Sequence, residues 1–345
     1  MTSVSFLDAL DGDARELLLS VARPISFVPS SVLVRQGEAA RGAFILRAGT
    51  VDAVVTLPGG ESLTVASLGA GSLFGEMALV DLGVCTATIR ATSPVDGWYV
   101  AHEDFRALAS QAQPAAIRLQ HAVTTILAGR IAALNARLLG VAAPEDRPAR
   151  AGLATGDPLA AVPRTRKPAF ACAPFLPRLP LFEHFAPEEI DEVVACASYL
   201  DLPRGHGVFA AGNPANATFI VARGAVEIVA IREAFERRIA ILGPGQLVGY
   251  LSVLREADHS THAFAREGST LMEIRAGDFH ELYFGTSRAS ARLRQAVQSS
   301  LLASMARTNR SLTRFTSLAK LAAAKGEAQA LEAAAASQLA TASPL

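Results

Sequence analysis

The chain writes one pattern twice, and that duplication limits what it can fold into more than any other feature. Gly37, Phe44 and Gly49 recur as Gly212, Phe219 and Gly224 at an offset of 175 residues. Gly71, Gly75 and the pair Asp104-Phe105 recur as Gly245, Gly249 and Asp278-Phe279 at an offset of 174. A single residue of drift across that span marks a duplicated domain, and the period is far above the roughly 20–50 residues of a solenoid repeat. With 345 residues, half of them hydrophobic, there is material for two cores of ordinary size.

The organisation follows from the punctuation. Residues 1–140 form the first module, 141–175 a linker, 176–316 the second module and 317–345 an alanine-rich tail. The linker carries Pro144, Pro148, Pro158, Pro163, Pro168 and Pro174. Proline removes amide donors and disfavours helix at the residue before it, so an extended, mobile tether is expected, with a reach on the order of 30 Å. Each module opens on a helical stretch, 6–22 and 182–197. Short β-branched runs then follow in the first at 25–28, 32–35, 43–46, 51–57, 63–68, 87–92 and 97–101. Glycine or proline at close intervals between them favours a small barrel or sandwich. Leu119, Val123, Ile126, Leu127, Ile131, Leu134 and Leu138 then fall at helical spacing, as do Leu293, Val297, Leu301, Met305 and Leu312 in the second copy. The fold class is therefore mainly β with flanking helices, each module closed by a long helix. The tail carries no apolar face large enough to pack firmly.

Charge and motif content narrow the function classes. Thirty-two basic residues balance 32 acidic ones, which leaves no general field for a polyanion, and direct nucleic-acid binding is not expected. Arg307, Arg310 and Arg314 fit the cations that a helix C-terminus attracts. Cys85, Cys172 and Cys196 give neither a disulfide framework nor a CxxC pattern. Asp8, Asp11 and Asp13 make the N-terminus unlike a signal peptide, and no apolar run approaches the length that spans a bilayer. A cytoplasmic protein without membrane insertion is expected. GxSxG, HExxH and glycine-lysine phosphate loops are absent from the sequence, so no enzyme is expected.

Phe74-Gly75-Glu76-Met77-Ala78-Leu79, followed at fixed distance by Thr86-Ala87-Thr88-Ile89-Arg90-Ala91, resembles the phosphate-binding cassette of cyclic nucleotide-binding domains. Gln36-Gly37-Glu38 and Phe44-Ile45-Leu46 with Gly49 and Val51 agree with the β-roll of that family, which includes catabolite activator protein-like regulators and protein-kinase regulatory subunits. The resemblance covers roughly 6–139 and 182–315. It implies two tandem β-rolls, and a cassette in which glycine brings backbone close to the ligand while a short helix aims N–H groups at the cyclic phosphate. It further implies that Glu76 takes the ribose 2′-hydroxyl. The position of the phosphate-pairing arginine, nine residues on, is Cys85. Losing that charge-assisted bond removes about 1.5–3 kcal/mol. Thr86 stands where members that prefer cyclic GMP often carry threonine, although β-propensity alone also accounts for it.

In the second copy, Gly249, Tyr250, Leu251, His259 and Ser260 are the degenerate equivalents of Gly75, Glu76, Met77, Cys85 and Thr86. Neither Tyr250 nor His259 has the charge of the residue it replaces, and Tyr250 is expected to fill the ribose space. Cyclic nucleotide binding is therefore expected to be lost there. His259 and His262 are expected to be solvated with no metal, Arg255 to be a solvated loop cation, and Cys85 to be structural. The winged helix-turn-helix of the family's transcription factors has no counterpart after Phe315. The expected function is a bacterial-type, non-enzymatic regulatory or scaffold protein that binds a protein partner, with weak control by cAMP or cGMP through the first module. A true cyclic nucleotide receptor and a structural subunit of a larger assembly are the alternatives. The closing helices, 117–138 and 292–312, are expected to meet within one chain as a pseudo-dimer, with self-association through the first as the competing arrangement.

Overall fold

Alternation of buried and half-buried residues along Val51–Thr56 is the local signature of a strand with one face inward, and strands of this kind build both modules. The structure, a computed structural model, describes residues 5–56, 60–80, 83–139, 147–150, 156–166, 173–232 and 235–341. The first module runs α1 (Gly12–Leu19), β1 (Arg23–Phe27), β2 (Val32–Val34), β3 (Gly42–Ala48), β4 (Val51–Thr56), β5 (Ser62–Leu68), β6 (Leu73–Phe74), α2 (Met77–Val80), β7 (Thr88–Ala91), β8 (Val95–Ala101), α3 (His102–Ala109) and α4 (Pro114–Leu139). After β9 (Arg147–Pro148), the second module runs α5 (Pro187–Ala195), β10 (Ala197–Leu202), β11 (Gly207–Phe209), β12 (Ala217–Arg223), β13 (Val226–Arg232), β14 (Phe235–Leu242), β15 (Leu247–Val248), α6 (Tyr250–Leu254), β16 (His262–Ala265), β17 (Ser269–Arg275), α7 (Ala276–Phe284) and α8 (Arg288–Thr341).

Two antiparallel sheets face each other in each module. Their orders are β1-β8-β3-β6 and β2-β7-β4-β5 in the first, β10-β17-β12-β15 and β11-β16-β13-β14-β9 in the second. The order is the same in both copies, with β9 added at one edge. The glycine pair Gly49/Gly224 recurs for a steric reason. Both sit at positive φ in the turn that carries the chain from one sheet to the other, β3 to β4 and β12 to β13, where a Cβ would fall 2.1 Å from Pro94 O or 2.4 Å from Ser269 Oγ. Phe44 stacks on Phe74 at 5.1 Å inside the first roll, with Val51, Ala53 and Ile89 around them. Phe219, Val226, Val248 and Leu271 fill the second.

The helices of both modules share a further core. Leu119, Val123, Leu127 and Ile131 of α4 lie in one buried cluster with Leu293, Val297, Leu301 and Met305 of α8. Polar ties cross the same seam. Tyr283 donates to Thr124 Oγ1 at 3.2 Å, and Thr308 donates to Asn135 Oδ1 at 3.1 Å, all four side chains being buried. Burial pushes the Tyr283 hydroxyl up to about 12. The closing helices thus pair within the chain, and Ser304 and Thr308, which break the second aliphatic stripe, are used as hydrogen-bonding positions.

Three expectations need correction. The linker is docked in its described parts, not a free tether. Arg147 and Pro148 pair with Glu236 and Phe235 to form β9, Arg147 and Arg150 meet the carboxylates of Glu227 and Glu236, and Thr165 bridges to Tyr199. Charge complementarity and open strand edges overcome the disorder that its prolines suggest. The closing helix of the second module, expected at 292–312, continues to Thr341, because alanine is the strongest helix former and no proline interrupts 317–341. The first opening helix is shorter than 6–22. It starts where Asp11 accepts from Ala14 N at 2.8 Å as an N-cap. Among the described residues no helix is long and apolar enough to cross a membrane.

Candidate functional site

A cavity of about 1020 Å³ opens in the first roll, and Phe74, Gly75, Glu76, Met77, Ala78, Cys85 and Thr86 all line it. Gly75 has φ +73°, and a Cβ there would fall 2.8 Å from Gly42 O, so the cassette passes tightly against the start of β3. The inner walls are apolar, with Leu33, Val34, Phe44 and Ala53 among them. Thr86 is exposed at the rim. Cys85 is half-buried, and its thiol is raised above the ordinary range, first by burial and then by the charge of Glu38. That is the opposite of an activated thiolate.

Glu76 is only 2% exposed. Its Oε1 lies 2.5 Å from Nη1 of Arg130 on α4, and the same guanidinium donates to Leu73 O. Its Oε2 has no hydrogen-bond partner among the described residues. A buried carboxylate oxygen left in this state is costly, and here it belongs to a residue that lines the cavity. Arg130 was not singled out in the sequence, nor were Arg41 and Arg137, which also line the cavity. Met305, Asn309 and Leu312 of α8 complete it. The second module therefore supplies part of the first module's cavity wall. The repeat carried a faint signal of this: Asn309 and Leu312 are Asn135 and Leu138 displaced by 174.

The second roll is built differently at the equivalent positions. Its cavity is about 470 Å³ and is walled in part by linker residues Gly156, Asp157, Pro158, Leu159 and Arg164. His259, expected to be solvated, is 5% exposed and stacks on Phe209 at 3.8 Å with ring planes 5° apart. Burial drives its imidazole down to about 4, with the Asp258 charge opposing the shift. A ring at this position packs where a cysteine would leave space. Tyr250 is not among the residues that line this cavity. It is buried against α8, with its hydroxyl 3.2 Å from Ser304 Oγ, and is pushed up to about 12 by burial. The phenol needs a polar partner when buried, and α8 provides one. Gly249 has φ +80° and abuts the Phe209 and His259 rings, Leu251 is half-buried against the core, and Ser260 is exposed. His262 is half-buried and its Nδ1 accepts from Ala211 N at 3.4 Å. Arg255 is half-buried beside Gly129 of α4 rather than free in solvent, because α6 packs on α4.

The two cassettes thus keep one geometric relation. Arg130 and Ser304 are equivalent under the 174-residue offset, as are Glu76 and Tyr250. Each cassette side chain reaches its own module's closing helix, by an ion pair in the first copy and a neutral hydrogen bond in the second.

Comparison with known proteins places this geometry. The chain is 35% identical over 101 residues to the "Cyclic AMP receptor protein" of Thermus thermophilus, covering 29% of this chain and 47% of the relative. It is 31% identical over 98 residues to "Acetyltransferase Pat" of Mycolicibacterium smegmatis, covering 28% of this chain and 29% of the relative. The chain spans about half or less of the length of these relatives. Among solved structures, the regulatory domain of Toxoplasma gondii PKA with cAMP is 17% identical with a TM-score of 0.32, covering 88% of this chain and 92% of that one. The family profile described as "Cyclic nucleotide-binding domain" matches residues 24–112 and 199–285, together about half of the chain. With two copies of its β-roll and a cassette in each, the chain belongs to the cyclic nucleotide-binding domain family.

Proposed function

We propose that the chain is a non-enzymatic regulatory protein whose first domain takes a small ligand of the cyclic nucleotide class weakly, and whose paired helices α4 and α8 pass its occupancy to a protein partner. The observation that carries this is Glu76 Oε2, buried and without a partner among the described residues, at the wall of a large cavity. A ligand hydroxyl donating to that oxygen would relieve a penalty of about 1–3 kcal/mol. The ribose of cAMP or cGMP carries such a hydroxyl. Cys85 supplies no charge to a cyclic phosphate, so affinity falls ten- to more than hundredfold below that of an arginine-bearing site, in line with about 1.5–3 kcal/mol. Met305, Asn309 and Leu312 at the same cavity support the relay, because a ligand there contacts both domains and favours one packing of α8 on α4.

Calorimetric titration of the full chain with cAMP and with cGMP tests the reading, run in parallel on Glu76→Ala. Weak binding that the substitution weakens further is expected. Submicromolar binding by the unmodified chain contradicts the role given to Cys85. Binding indifferent to Glu76→Ala contradicts the site.

A further inference from the structure

The segment that joins the two domains is seated in the second one. Gly156 O accepts from Asn213 Nδ2 at 2.6 Å. Pro158 lies against Gly207, where a Cβ would fall 2.9 Å from the Pro158 Cβ. Leu159 is 2% exposed and belongs to the buried cluster of Val208, Phe209, Ala217 and Phe219. Arg164 grips Glu273 with two bonds, Nε to Oε2 at 2.7 Å and Nη2 to Oε1 at 3.0 Å, and that carboxylate is 5% exposed. Thr165 and Tyr199 exchange backbone hydrogen bonds of 3.0 and 2.8 Å. The turn between these anchors is internally held by Leu159 N on Asp157 Oδ1 at 2.9 Å and Val162 N on Leu159 O at 3.1 Å.

What the segment covers is the counterpart of the open cavity. Under the repeat, Val208, Phe209, Ala217, Phe219, His259 and Glu273 correspond to Leu33, Val34, Gly42, Phe44, Cys85 and Tyr99, each of which lines the first cavity. Two replacements favour a peptide. Gly207 stands for Val32, and only a residue without a Cβ leaves room for Pro158. Glu273 stands for Tyr99, which places a buried carboxylate where a guanidinium can fork onto it.

We infer that the second domain is a peptide-binding site whose resident ligand is this chain's own segment 156–166. The chemistry it selects is a Pro-Leu anchor in an apolar roll, an arginine five residues after the leucine on Glu273, and a main-chain bridge to β10. The linker makes the segment an intramolecular ligand at an effective concentration in the millimolar range. A free peptide enters only once the segment is released.

The test uses the full chain and a fluorescent synthetic peptide of residues 156–166. Leu159→Asp with Arg164→Ala alters the segment and leaves the second-domain side chains that receive it, Phe209, Phe219 and Glu273 among them, unchanged. This variant is expected to bind the peptide saturably, and the unmodified chain roughly a hundredfold more weakly because its own segment competes. Adding Glu273→Arg to the variant should abolish that binding and transfer it to a peptide carrying glutamate at position 164. Equal uptake by both chains, or no uptake by a variant whose circular dichroism is native, overturns the inference. Hydrogen exchange on the unmodified chain decides independently of any variant. The amides of Thr165 and Tyr199 should exchange as slowly as those of β12, whereas exchange of Thr165 at the rate of an unstructured peptide overturns it.

Discussion

Glu76 and Tyr250 hold the same place in two copies of one fold, and they show how a duplicated site divides. Both reach the closing helix of their own domain. The first does so with a charge and keeps one carboxylate oxygen without a partner among the described residues, beside a cavity of about 1020 Å³. The second does so with a neutral phenol turned toward α8, while the equivalent cavity is smaller and partly walled by the linker. The contact that fixes cassette to helix is structural and survives in both copies. The charge at the cassette position is separable from it, and of the two side chains only Glu76 carries one.

The largest expected effect separates the two ties directly. Arg130→Ala leaves Glu76 buried without its cation. Breaking a buried pair costs about 3–5 kcal/mol, and because Arg130 is 34% exposed the low end, about 3 kcal/mol, is expected. Tyr250→Phe removes one neutral hydrogen bond and should cost only about 1 kcal/mol. Denaturant unfolding of both variants measures the ratio, and equal costs would break the comparison.

Acid should also discriminate between the copies. His259 has a folded value of about 4 against an ordinary 6.5, so between those pH values the unfolded chain holds a proton that the folded chain refuses. Stability is unaffected by this group above pH 6.5 and falls as pH drops toward 4, by up to about 3 kcal/mol at 1.36 kcal/mol per unit. His259→Phe, which can keep the stack on Phe209, should flatten that part of the pH–stability profile. A profile unchanged by the substitution would show that the ring is hydrated.

Restoring the missing cation is a smaller change with a sharp readout. Cys85→Arg should tighten cyclic nucleotide binding about ten- to a hundredfold. His259→Arg should confer none, since the counterpart cavity is walled in part by Gly156, Asp157, Pro158, Leu159 and Arg164. The smallest effect concerns the helix pair. Cysteines at Asn135 and Thr308, in a background without the native three, should crosslink within a monomer and leave stability within about 1 kcal/mol. Crosslinked dimers in their place would mean that α4 pairs between chains.

Much of the architecture was legible because it rests on local rules. The recurring glycines mark turns such as Gly49 and Gly224, where a side chain has no room, the β-branched runs place the strands of the first roll, and the helical stripes place both closing helices. The cassette residues were legible as a group, and they do share one cavity. What sequence could not supply were contacts distant in the chain. Arg130 lies 54 residues beyond Glu76, on a helix where Arg118 and Arg137 look equally like surface cations. Proline content suggested a free linker because Leu159 and Arg164 have no local partners, and their anchors lie in β11, β12 and β17. His259 looked solvated for the same reason, its stacking partner Phe209 being 50 residues away.

The account turns on the claim that the first cavity is a small-ligand site while the second is closed to such ligands. Calorimetric titration of the Cys85→Arg chain with cAMP tests this most directly. The account predicts a single site per chain, lost when Glu76→Ala is added and untouched by Tyr250→Phe. Two sites per chain, or binding that survives Glu76→Ala, would contradict it.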